Sequence, residues 1–440
     1  MTESPVWKWF LCKTSNLAQI VELNSAHSRN LQLMLNQPGT ATFWLHLEDE
    51  KTKYVEEHKT CIVCYRNGKA VWSGPVYKCV ENADNTSNAT LNVTAMGWFE
   101  LFNKRIVHTG IEWEEMAVKY SGRTIIRYNP KELKPSPTKE EREAWEKERE
   151  ELLAKEIEGI EKQYGEVKSA KEYNPIATES ALQLYYGRLE EPFGIPRNEI
   201  AVDLINRANI DVPTGVTIGL NPECSSLNYT VPQFHPVGEL LTQLTSIENS
   251  FDFNIDPLTR KFNMYFNRIK ENSEMKGLGQ DRGQGVRFTY PGNCISANRS
   301  ADGTRTQNRT EVQGQYGVGK AEDISSVNEE GLFEKSESLT DVVNIDILIA
   351  YAAIQTETLK RPFKVLTFNP RAVSNSESYS VPRPFEDYEI GDIVYSTISK
   401  GPRFQVGYPT PQPVRIFGFN LAIDDNGTEH VTGIQTVYSS

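Results

Sequence analysis

Seven short apolar segments separated by turn residues occupy the first 128 residues, and they leave room for little but a β architecture. Trp7 to Cys12, Leu31 to Leu35, Ala41 to Leu47, Thr60 to Tyr65, Ala70 to Trp72, Val76 to Val80 and Ala89 to Ala95 each have the length and the β-branched and aromatic content of strands. Asn67-Gly68 lies between two of them and supplies the positive φ values of a type I′ turn, so Cys61 to Trp72 reads as a hairpin. Strands at this spacing predict a small barrel or sandwich.

At Pro130 the composition changes. Pro135, Ser136 and Pro137 break the chain, and Thr138-Lys139-Glu140-Glu141 then matches a helix capping box. Of the 24 residues from Lys139 to Lys162, 16 are charged, with Glu143/Lys147, Glu151/Lys155 and Glu158/Lys162 at the stabilising spacing of four. The spacing predicts a helix of about 26 residues, roughly 39 Å long. Its narrow apolar stripe, Trp145, Leu152, Leu153, Ile157, Ile160 and Tyr164, suits an arm that packs on a neighbouring subunit or a helix lying on its own surface.

Between Glu199 and Arg268 the pattern is mixed: helices near Val202 to Asn209 and Val237 to Asn249, then strands Phe251 to Ile255 and Lys261 to Phe266 joined at Asp256-Pro257. A helical pattern over Asp341 to Leu359 precedes a strand from Phe363 to Phe368. Gly285 to Gly314 and Glu389 to Tyr438 read as polar strands, and the alternation of Phe417, Phe419, Leu421 and Ile423 suits an antiparallel barrel with one face on a core.

With 47 Lys and Arg against 59 Asp and Glu the net charge is -12, which argues against a surface that binds DNA by releasing counterions. No stretch of 18 apolar residues exists, so no membrane-spanning helix is expected, and Met1 to Thr14 lacks the pattern of a signal peptide. Six cysteines in 440 residues form no dense framework and are expected as thiols.

The apparent chemical motifs are weak. Gly314 to Lys320 fits G-x-x-x-x-G-K, but Ala321 stands where a phosphate loop needs a hydroxyl for magnesium, and the segment before it is polar; a glycine-rich β turn is the better reading. Cys61-Ile62-Val63-Cys64 has metal-ligand spacing, yet on a strand residues three apart point to opposite faces. His27, His46, His58, His108, His235 and His430 are scattered, and no G-x-S-x-G elbow occurs. The loops Ser374 to Tyr379 and Lys400 to Pro413, rich in Asn, Ser, Tyr and Pro, are candidates for sugar or receptor contact. No catalytic, cofactor-binding or metal-binding residue is assigned, and no cofactor is expected.

Three segments carry a resemblance. Leu91 to Val107 joins a strand, the aromatic turn Gly97-Trp98-Phe99 and an exit through Arg105, with Ala41 to Glu48 as its upstream partner. Leu240-Leu241-Thr242-Gln243-Leu244 leads into Phe251 to Pro257 and Lys261 to Phe266, and Tyr388 to Val394 leads into Val414 to Phe419. In this order they resemble the hub or minor tail proteins of siphophages, particularly those infecting actinobacteria, while Pro130 to Pro175 departs from the family pattern.

The resemblance implies a non-enzymatic virion protein at the tail tip or baseplate, assembled in the host cytoplasm. It implies two barrel-like tube domains per chain, with three chains in a ring of pseudo-sixfold symmetry that continues the tail tube. Its partners would be further copies of itself, the distal tail protein, the tail tube, other tip proteins and the tape measure protein, with DNA passing through without specific binding. The fold expectation is therefore mainly β with α+β elements: two small β-barrel domains, mixed α/β domains and an inserted long charged helix. The expected divisions are 1–129, 130–175 for the helical insertion, 176–275, 276–385, and 386–440 for the second barrel. A receptor- or carbohydrate-binding tail module and a tail-associated cell-wall hydrolase are the alternatives; glycan binding by the monomer, or release of sugars or peptides from cell wall, would distinguish them.

Overall fold

The computed structural model describes residues 5–83, 89–107, 113–120, 123–130, 169–172, 177–179, 183–186, 195–210, 212–227, 229–232, 235–245, 250–266, 278–314, 317–338, 345–371, 380–400, 406 and 410–438. The N-terminal segment folds into β1 (Trp7–Lys13), β2 (Gln19–Glu22), β3 (His27–Met34), β4 (Thr40–His46), β5 (Thr60–Arg66), β6 (Lys69–Asn82) and β7 (Thr90–Met96), followed by the short helix α1 (Glu100–Asn103). The turn at Asn67-Gly68 has φ 49° and 79°, the two positive values that a type I′ hairpin requires.

In the middle of the chain β8 (Trp113–Tyr120), β9 (Arg123–Pro130) and β10 (Ser169–Glu172) make one antiparallel sheet, and β11 (Ala177–Glu179) and β12 (Gln183–Tyr186) open another. β13 (Ile195–Pro196) leads into α2 (Arg197–Ala208), β14 (Thr217–Ile218), β15 (Ser226–Leu227), β16 (Tyr229–Pro232) and α3 (Val237–Thr245); β17 (Phe251–Ile255) and β18 (Lys261–Phe266) follow as a hairpin. The last part contains β19 (Arg287–Tyr290), β20 (Cys294–Asp302), β21 (Arg309–Gln313), β22 (Val318–Glu322), α4 (Ile324–Glu330), β23 (Glu334–Ser338), α5 (Ile345–Leu359), β24 (Phe363–Pro370), β25 (Ile393–Ile398), β26 (Gln412–Ile423) and β27 (Glu429–Tyr438).

One 13-stranded sheet joins the two ends of the chain in the order β2-β1-β5-β6-β7-β4-β3-β26-β27-β24-β20, with β25 pairing both β26 and β19. The junction is β3 against β26, where Gly418 faces Met34, Asn420 faces Gln32 and Ala422 faces Asn30. β26 is long enough to serve two partners on one edge: its first residues pair with β25 and its last six with β3.

Two main cores lie on opposite sides of the N-terminal strands. Ile62 and Cys64 of β5 join a core with Trp9, Leu11 and Phe43 that continues into Phe288, Phe368, Tyr388, Phe419, Leu421 and Ile434 from the C-terminal strands. Cys61 and Val63 of the same strand face a second core built from Trp98, Phe99 and Phe102 with the inner faces of α2, α3 and the β17–β18 hairpin. A strand covered on both faces needs the continuous apolar run that Thr60 to Tyr65 supplies.

The expectation of two closed barrels is corrected by this topology. The protein is mostly sheet with some helices, and the sheets are open: among the described residues β2 and β20 each pair on one edge only, so the large sheet ends at both and does not close on itself. The physical reason is that the two terminal strand sets add edge to edge through β3 and β26 instead of each returning to its own first strand. The charged helix expected over Thr138 to Lys162 lies outside the described residues.

Candidate functional site

The junction creates a broad face opposite the first core. Along β4, Ala41, Phe43 and Leu45 are buried, so Thr40, Thr42, Trp44 and His46 point the other way. Register carries that parity across the sheet: Thr94, Asn92 and Thr90 of β7 stand opposite Thr42, Trp44 and His46, and Asn30 and Gln32 of β3 stand opposite Thr42 and Thr40. Asn420 and Ala422 of β26, Gln435 of β27, Thr367 and Asn369 of β24, and Ser296 and Asn298 of β20 continue the face. At Gly433 a β-carbon would meet the side chains of Asn369, Asn420 and Thr367 at 3.7 to 3.8 Å, which places all three on that side.

None of these residues is Asp, Glu, Lys or Arg, in a chain of which 24% is charged; the charged residues that register puts on the same side, Lys78 opposite Thr94, Arg415 opposite Val437 and Asp302 at the end of β20, stand at its margins. Some of their polar groups bond within the face: Thr40 Oγ1 donates to Gln32 Oε1 at 3.2 Å, Asn369 Nδ2 to Ser296 Oγ at 2.6 Å, and Trp44 Nε1 to Ser28 Oγ at 3.1 Å. An aromatic patch stands at one side, with His27 stacked on Trp44 at 4.3 Å and His46 edge-on to both. His27 Nδ1 meets Asp425 Oδ2 at 2.9 Å, so a carboxylate stands at this rim of the face.

Charge is gathered instead at the seams. Arg66, 5% exposed, donates to Glu429 Oε1 at 2.7 Å and Oε2 at 3.0 Å and to Glu386 at 2.9 Å, while Trp7 Nε1 donates to Glu429 at 3.1 Å. These bonds tie β1 and β5 to the C-terminal segment. Arg415 of β26 donates to Asp252 Oδ2 at 2.6 Å, and Asn36 donates to Asp252 Oδ1 at 2.7 Å, so one carboxylate of β17 holds all three parts of the chain. Asp392, 1% exposed, accepts from Arg282 Nε at 2.6 Å and from the N–H groups of Gln280 and Glu389 at 2.7 Å. Buried carboxylates persist because each has several such partners.

The residues weighed from sequence fall as follows. Gly314 to Lys320 spans the connection of the β21–β22 hairpin, of which residues 315 and 316 lie outside the described residues, and the start of β22: Gly314 N–H donates to Gly317 C=O at 2.8 Å, and Lys320 of β22 pairs with Glu311 of β21 at 2.6 Å. Cys61 and Cys64 lie in different cores, and burial pushes the Cys61 thiol up to about 12 and the Cys64 thiol well above its ordinary value. All six cysteines are free. His27 and His46 come together, whereas His58 packs edge-on to Tyr77, His235 pairs with Glu239, and His108 lies outside the described residues. Among the described residues no group of three His, Cys, Asp or Glu side chains is placed to hold a metal ion. The loop Ser374 to Tyr379 lies outside the described residues, as do residues 401–405 and 407–409 of the loop Lys400 to Pro413.

Sequence reasoning missed the uncharged face. The signal was present, since the outward positions of β4 and β7 are Thr, Asn, Trp and His apart from Met96 at the end of β7, but reading it needs the strand order.

No family model and no curated protein matches the chain. Among solved structures it is similar to the 43 kDa tail protein of prophage MuSo2 from Shewanella oneidensis, at 8% identity and TM-score 0.46, over 98% of each chain. It is similar to the tail protein from Neisseria meningitidis MC58 at 8% identity and TM-score 0.47, over 99% of this chain and 96% of that one. It is also similar to prophage tail protein gp18 from Listeria monocytogenes EGD-e at 8% identity and TM-score 0.44, over 98% and 95%.

Proposed function

We propose that the chain is a structural subunit of a phage tail tip. In this reading it is a hub that forms a ring with two further copies, continues the tail tube and anchors the tip proteins, and it performs no catalysis. The uncharged face of the joined sheet lines the bore. That face carries the proposal. DNA bears one negative charge per about 1.7 Å of helix axis, so a basic wall would bind it by counterion release and a strongly acidic wall would repel it. A wall of neutral hydroxyls and amides does neither, and lets DNA and a tape measure protein slide past.

The ring of three, the distal tail and tube partners and the location at the tip come from the sequence resemblance. The open edges at β2 and β20 are compatible with contact between copies, because an unpaired strand edge is a template for further pairing. Native mass spectrometry of the purified chain over a range of concentrations tests the stoichiometry. A species of three chains is expected; monomer alone at every concentration would contradict the ring.

A further inference from the structure

At the seam between the N-terminal strands and the β17–β18 hairpin lies an apolar cleft of about 280 Å³, with Met34, Val71, Trp72, Phe99, Phe253 and Phe385 in its walls. That volume falls just below the roughly 300–1,000 Å³ of sites for drug-sized ligands, and suits an amino-acid side chain better. β17 borders the cleft through Phe253, Asn254 and Ile255, and it is an outer strand of its three-stranded sheet.

The direction of its free main-chain groups follows from register. Asp256 N–H donates to the Lys261 carbonyl, so residues 252 and 254 turn their main-chain groups toward β18, and Phe253 and Ile255 turn theirs away. Asn36 bears this out by accepting from Phe253 N–H at 2.8 Å. The Phe253 carbonyl and the Ile255 N–H have no partner among the described residues, and together they form the acceptor and donor that receive one residue of an added strand.

Charge limits what can enter. The only charged side chains lining the cleft among the described residues are Lys69 and Glu389, both exposed and paired with each other at 3.7 Å. The rim is therefore neutral, and a charged anchor would lose its hydration against aromatic walls without a counter-charge.

We propose that the cleft and the outer edge of β17 beyond Asn36 together receive an extended peptide strand of another polypeptide. Its main chain bonds to Phe253 and Ile255, and one uncharged apolar side chain fills the cleft. This docking site is separate from the bore-lining face and stands whether or not the chain forms a ring.

The test is titration of the full chain with a blocked pentapeptide, a phenylalanine flanked on each side by two threonines. Binding is followed by calorimetry and by the fluorescence of Trp72 and Trp98, which line the cleft. Saturable binding is expected, weakened at least about tenfold when aspartate replaces the central phenylalanine. Ile255→Pro removes an N–H that has no partner among the described residues without touching the bonds to β18, and is expected to weaken binding by up to about tenfold. Val71→Asp charges the wall and is expected to abolish binding, with both variants checked for folding by circular dichroism. Absence of saturable binding to the unaltered chain would overturn the proposal, as would equal affinity for the phenylalanine and aspartate peptides or undiminished binding to folded Val71→Asp.

Discussion

Arg66 shows how much a single side chain holds at the seam. Its guanidinium is buried against Glu429 and Glu386. Replacing it by alanine leaves a buried carboxylate without its partner, a loss of about 3 kcal/mol. Arg66→Ala is thus expected to lower the urea midpoint clearly, and a change under about 1 kcal/mol, the scale of an exposed ion pair, would show that the seam is solvated. Tyr388 is the opposite case. It is fully buried beside Phe288 and Phe419, burial holds its phenol well above the ordinary value, and its hydroxyl has no partner among the described residues. Tyr388→Phe is expected to stabilise the chain by about 1 kcal/mol, read as a higher melting temperature; a lower one would mean that the hydroxyl is bonded. At this scale the sequence revealed that Cys61 and Cys64 point to different sides, because strand parity is local. It could not pair Arg66 with Glu386 or Glu429, which lie more than 300 residues away.

Among the elements, β6 departs from what local signals suggest. Ala70 to Trp72 and Val76 to Val80 read as two strands because Gly74-Pro75 lies between them, yet β6 runs through both. Its first half pairs with β5 and its second with β7. At the change of partner the backbone passes so close to Met96 that a β-carbon on Gly74 would overlap the Met96 carbonyl. Gly74→Ala should cost about 3 kcal/mol and increase hydrogen exchange along β7, whereas unaltered exchange would mean that the crossing has slack. The alternation Phe417, Phe419, Leu421, Ile423 is likewise interrupted. A bulge between Ile416 and Gly418 exchanges the faces, so Ile416 is buried and Phe417 only half-buried. The hairpin at Asn67-Gly68, by contrast, was legible because its two residues impose their own φ values.

The whole molecule depends on a pairing that periodicity does not encode. Alternating residues state which face of a strand is buried, but they are silent on which strand lies next to it. Both terminal sets were legible as β, whereas their fusion through β3 and β26 into one open sheet was not, since the strands come from opposite ends of the chain. The uncharged face exists only because of that fusion: seven strands from β7 to β20 contribute to it, three from the N-terminal set and four from the C-terminal set. Single-particle electron microscopy of the assembled protein tests its role most directly. A threefold ring in which Thr42, Asn420 and Thr367 face a central hole is the predicted result. A ring with these residues on its outer surface, or compact particles without a hole, would contradict it.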